Sequence, residues 1–98
     1  MKLLELIKAV NEKNLTKEQL EAYRDEMSSL FAQMQFELAE VRKAKAVYFI
    51  ENKLETDKGT ERAWQATKEG LREIELSHYS KGTEKLLSSL KSRLYNLY

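Results

Sequence analysis

The chain has 98 residues, with no proline, no cysteine, three glycines and 34% charged side chains. That length suits one domain and excludes a catalytic core with a separate cofactor domain. The missing cysteine excludes disulfides, thiolate zinc sites, iron–sulfur clusters and cysteine nucleophiles. Lysine and arginine number 17 against 16 acidic residues, a net charge of +1, so no overall basic field announces nucleic acid or membrane.

Abundant Glu, Lys, Leu and Ala with few breakers predict long helices. The opening Met1–Lys8 resembles a signal peptide, but Glu5 and Lys8 interrupt its apolar stretch and no small-residue cleavage site follows. The longest apolar run, Ala46–Ile50, is far short of a bilayer span. A soluble, cytoplasmic protein is expected. Asn14-Leu15-Thr16 matches a glycosylation acceptor, which matters only in a secreted chain.

Leu3, Leu4, Ile7 and Val10 recur at helical spacing and predict a first helix over about 2–12. Asn11–Asn14 reads as a loop. Thr16-Lys17-Glu18-Gln19 is a capping box: the Thr16 hydroxyl accepts from the Gln19 amide while the Gln19 side chain reaches back, and Leu15 and Leu20 form a hydrophobic staple. A second helix starts there. Neither Gly nor Pro occurs between Lys17 and Lys58, so it is expected to run over about 17–58, roughly 60 Å at 1.5 Å per residue. Leu20, Tyr23, Met27, Leu30 and Met34 alternate by three and four, then Leu38 and Val41 follow after a four-residue step.

Gly59 is placed to end this helix in the left-handed conformation, and Thr60 to cap the next. So short a connection returns the third helix antiparallel, over about 60–97. Its stripe runs through Ala63 or Trp64, Thr67, Leu71, Ile74 and His78, then Leu86, Leu87, Leu90, Leu94 and Leu97. Ser80-Lys81-Gly82-Thr83 reads either as a break or as a solvated turn inside the helix, with continuity favoured. The expected fold is all-α, a single domain over 1–98: a short N-terminal helix plus a long antiparallel helical hairpin that oligomerises.

Charge is segregated along the chain. Residues 21–40 hold one basic and five acidic side chains, residues 41–58 five and three, residues 59–80 three and four, and residues 81–98 four and one. A hairpin turning near 57–60 sets opposite signs beside each other, with Arg42, Lys43 and Lys45 near Glu69, Glu73 and Glu75. Exposed pairs contribute little individually, but the alignment favours one register. Lys81, Lys85, Lys91 and Arg93, interleaved with Tyr79, Tyr95 and Tyr98, also read as a basic–aromatic strip for phosphates and stacked bases. The alternative, which the even charge balance favours, is that these cations neutralise the neighbouring helix.

The first helix covers only the start of the second, near residues 17–27. Met27, Leu30, Phe31 and Met34 then face a polar stretch, residues 81–88, which predicts association through that surface, with a second copy or another protein.

Catalytic groups are sparse. His78 is the sole histidine and sits in the apolar stripe, and a di-metal carboxylate bundle would need more than one histidine. Glu18, Glu21, Asp25 and Glu26 read as a solvated face, Trp64 as an anchor at the hairpin end, and the glycines do not form a phosphate loop. Ser28-Ser29 and Ser88-Ser89 lack an identifiable base. No enzyme, metal or cofactor is expected.

The succession Glu37-Leu38-Ala39-Glu40-Val41-Arg42-Lys43-Ala44-Lys45-Ala46-Val47-Tyr48, followed by a polar turn and a long helix ending Leu87-Ser88-Ser89-Leu90-Lys91-Ser92-Arg93, resembles the UvsY-like recombination-mediator proteins of phages over residues 20–95. The resemblance implies a helical ring-forming protein that binds single-stranded DNA while loading a recombinase. It places Arg42, Lys43, Lys45, Lys91 and Arg93 on that family's basic segments, and the protein in a host cytoplasm. The leading expectation is thus a non-enzymatic, oligomeric helical protein of phage type, accessory to recombination, binding single-stranded DNA or a recombinase. The alternatives are a small viral protein-binding inhibitor of host defence or a structural helical scaffold subunit.

Overall fold

The computed structural model describes residues 3–96, and every regular element among them is helical. The helices are α1 (Leu3–Val10), α2 (Lys17–Glu51), α3 (Asp57–Gln65) and α4 (Lys68–Tyr95). Lys2, Leu97 and Tyr98, which the sequence assigns to the first helix, the last stripe and the basic–aromatic strip, lie outside the described residues. None of the helices is long and apolar enough to cross a membrane.

The long helix and its return are present, but the connection differs from expectation. Helix α2 stops at Glu51 rather than near residue 58. The amide of Asn52 donates to the Tyr48 carbonyl at 2.8 Å and its side-chain amide to the same oxygen at 3.2 Å, closing the helix end. Gly59 does not terminate a helix and has no positive φ. It lies in the first turn of α3, where its N–H donates to the hydroxyl of Thr56, the true cap, at 3.0 Å. Thr60 is buried instead of capping: its hydroxyl donates to the Thr56 carbonyl and accepts from the Leu54 amide, fastening the loop to α3.

The expected third helix is divided, at Ala66–Thr67 and not at Ser80–Thr83. Thr67 repeats the device found at Thr56: its hydroxyl accepts the N–H of a glycine three residues on, Gly70, at 3.0 Å. It also donates to the Trp64 carbonyl at 2.6 Å. Gly70 is required by packing, since a Cβ there would stand 1.9 Å from the Trp64 carbonyl oxygen. Helix α4 then continues through Ser80–Thr83. Ser80 and Thr83 are buried, and Gly82 faces open space.

Two compact units divide the chain. Residues 1–33 and 80–98 form the first, and residues 34–79 the second. In the first, the capping box forms as expected, with Gln19 N–H to the Thr16 hydroxyl at 3.1 Å and Thr16 N–H to the Gln19 side chain at 2.9 Å. Asn14, left-handed at φ 65°, turns the chain into it. The core gathers Leu6 and Val10 of α1, Leu20 and Met27 of α2, and Leu87, Leu90 and Leu94 of α4, with Leu15, Tyr23, Leu30, Phe31 and Leu86 packed around them. Each fully buried side chain of this kind stabilises by roughly 1.5–3 kcal/mol. The second unit buries fewer large apolar groups, namely Leu38, Trp64 and Leu76.

Two glycine substitutions on α4 separate these roles. Gly70→Ala forces a methyl group into backbone and is expected to destabilise by about 2–3 kcal/mol. Gly82→Ala meets nothing and gains helix propensity, stabilising by up to about 1 kcal/mol. Thermal melts followed by circular dichroism check both signs.

Candidate functional site

The second unit is organised around a polar joint. Trp64 Nε1–H donates to Glu73 Oε1 at 3.0 Å. Lys45 Nζ reaches the same oxygen at 3.5 Å and Glu61 at 3.0 Å, and Arg42 Nε approaches the second Glu73 oxygen at 3.8 Å. Tyr48 stands against Trp64 with ring centroids 5.4 Å apart and planes tilted by 57°. The expected pairing of Arg42 and Lys45 with the returning helix is therefore realised at Glu73. Burial alone pulls the Lys45 ammonium down, but Glu61 and Glu73 together outweigh it and hold it above its ordinary value.

A second pair closes α2 onto α4. Arg72 donates through Nε and Nη2 to the two oxygens of Glu37, and through Nη1 to Glu75 at 2.6 Å. Two parallel N–H···O bonds hold the planar groups in one geometry. Arg72 holds the Glu37 carboxyl below its ordinary value, only partly opposed by burial, and is itself raised.

These contacts bear on the cations singled out in the sequence. Arg42 and Lys45 face Glu73, Lys43 pairs with Glu40 at 3.3 Å, and Arg93 Nη1 donates to the Val10 carbonyl at 2.8 Å, capping α1. Lys91 is exposed. Arg42, Lys43 and Lys45 belong to the second unit, Lys91 and Arg93 to the first.

The apolar stripe proposed for association is largely filled from within. Met27 is 0% exposed, and Leu30 and Phe31 pack on the core of the first unit. The cover comes from α1 and from Leu86, Leu87 and Leu90, so the 81–88 stretch is less polar where it faces α2 than its composition suggests. Met34, half-buried, falls in the second unit. Large apolar side chains are exposed elsewhere, concentrated in the second unit: Phe36 at 77% and Ile50 at 82% on α2, with Val47, and Leu71, Ile74 and Tyr79 on α4. Their positions were readable in the sequence, but only the buried face tells which stripe points outward.

No group of three or more His, Asp or Glu among the described residues is arranged to hold a metal, and His78 lies exposed on α4. A shallow open cleft of about 340 Å³ runs between Ala44, Val47, Tyr48, Glu51, Trp64 and Glu69. Compared with known proteins, the chain matches no family model, no curated protein and no solved structure.

Two outcomes follow. Arg93→Met removes the α1 cap and is expected to lower stability by about 1 kcal/mol, read from denaturant midpoints. The Glu37 pairing contributes stability that is fully present above the ordinary value of 4.5 and is lost as pH falls through the depressed folded value. In acid titrations of thermal stability, Glu37→Gln should accordingly fall less steeply below that pH than the unsubstituted chain.

Proposed function

We propose that the chain is a non-enzymatic helical interaction module that associates with protein surfaces through the outward apolar faces of its second unit. One observation carries this reading: the unit buries Leu38, Trp64 and Leu76 but leaves Phe36, Val47, Ile50, Leu54, Leu71, Ile74 and Tyr79 at least 40% exposed. So many exposed large apolar side chains on one small helical unit support a contact surface. The reading keeps the expected association and moves it from the Met27–Met34 stripe to the outer faces of α2 and α4.

The alternative of a single-stranded-DNA accessory draws on the basic segments. Arg42, Lys43, Lys45 and Arg93 all have intramolecular acceptors, so phosphate binding would compete with contacts the fold already makes. That favours the protein-binding reading.

Light scattering coupled to chromatography, beside anisotropy with labelled single-stranded DNA at low salt, tests the choice. Mass should rise with protein concentration, and either Phe36→Glu/Ile50→Glu or Leu71→Glu/Ile74→Glu should return it to the monomer value with helicity intact. A monomer at every concentration that binds the DNA would overturn the proposal.

A further inference from the structure

The outer face of α2 in the second unit carries a pattern that the inner stripe obscures. Phe36, Ala39, Lys43, Ala46 and Ile50 follow one another by three, four, three and four residues, and all five are exposed. This is the spacing of a coiled-coil seam. Large side chains occupy one of its two positions, Phe36, Lys43 and Ile50, and alanines the other, Ala39 and Ala46. The inward residues Leu38, Val41 and Lys45 lie on the opposite side of the helix, so the seam is independent of the unit's own packing.

We infer that this seam pairs with a second copy of itself, antiparallel, about a twofold axis near Val41; the inference rests on the association reading above and specifies its partner. A twofold contact must be self-complementary. With the axis there, Phe36 lies across from Ala46 of the second copy and Lys43 across from Ala39, so each of these two large side chains meets a small one and the helices approach closely, while Ile50 lies beyond the paired stretch. Lys43 also comes beside Glu40 of the second copy. Because Lys43 already pairs with its own Glu40 at 3.3 Å, the axis gathers two cations and two carboxylates, a neutral set. A parallel pair fails on both counts: it stacks Lys43 on Lys43 and alanine on alanine, combining like-charge repulsion with voids. The paired stretch, residues 36–46, spans only about 15 Å and has a lysine in its central layers, so the dimer depends on concentration.

The cysteine-free chain permits a direct test on the full-length protein. Under mild oxidation, Glu40→Cys should form a disulfide dimer, as should an equimolar mixture of Phe36→Cys and Ala46→Cys through a hetero-pair. Ile50→Cys alone should not, since its two copies are far apart in the antiparallel register. In sedimentation equilibrium, Lys43→Leu should tighten the dimer at least tenfold and Ala46→Arg should abolish it, with helicity unchanged in both. A dimer cross-linked by Ile50→Cys alone, or one indifferent to Lys43→Leu and Ala46→Arg, would overturn this pairing. If association is lost instead in Leu71→Glu/Ile74→Glu, the seam is wrong while the broader reading stands. A chain monomeric at all concentrations would overturn the seam, and one that also binds single-stranded DNA would overturn both.

Discussion

The second unit depends on a single carboxylate. Glu73, on α4, accepts the indole N–H of Trp64 from α3 and faces Lys45 and Arg42 from α2, so three helices meet on two oxygen atoms. Its side chain is only 14% exposed. Partial burial strengthens each contact relative to open water and raises the cost of leaving the carboxylate unpaired. Such a joint orders helices without requiring many apolar side chains between them. That is why a unit with few buried apolar residues can direct phenylalanine and isoleucine outward.

The first unit is built the other way. Leucines from three helices and Met27 fill a continuous interior, and polar contacts finish its ends: the Thr16–Gln19 box at the start of α2 and Arg93 on the last turn of α1. Arg93 serves the first unit as a helix cap, and in the second unit Arg42 and Lys45 face the part-buried Glu73.

What the sequence discloses follows the range of the interactions concerned. The start of α2 was legible because a capping box is complete within four residues. Its end was not: Gly59 satisfies the usual description of a helix terminator, yet it serves as the donor to Thr56. The same Thr-x-x-Gly pattern at Thr67–Gly70 marks the unforeseen break, and reading the two together would have located both caps. The break also needs Gly70 for its approach to the Trp64 carbonyl, a tertiary constraint that no local pattern announces. Helix α4 runs through Ser80–Thr83 in the presence of a glycine, because Gly82 occupies open space and local propensity alone does not break a packed helix. How far the stripe from Met27 to Met34 is covered is equally beyond local pattern, because it depends on what packs against it: Met27 is buried, whereas Leu30 and Phe31 lie partly buried against the core.

Trp64 is the chain's only tryptophan, and its surroundings make it an internal probe. It is 2% exposed, hydrogen-bonded to a carboxylate and within ring contact of Tyr48. Its emission reports on the second unit, whereas far-ultraviolet dichroism samples helices in both. If the two signals change together during denaturation, the units unfold cooperatively; if they separate, stability is partitioned along the continuous helices α2 and α4. The residue that anchors the joint thus lets the cohesion of the molecule be measured without any label.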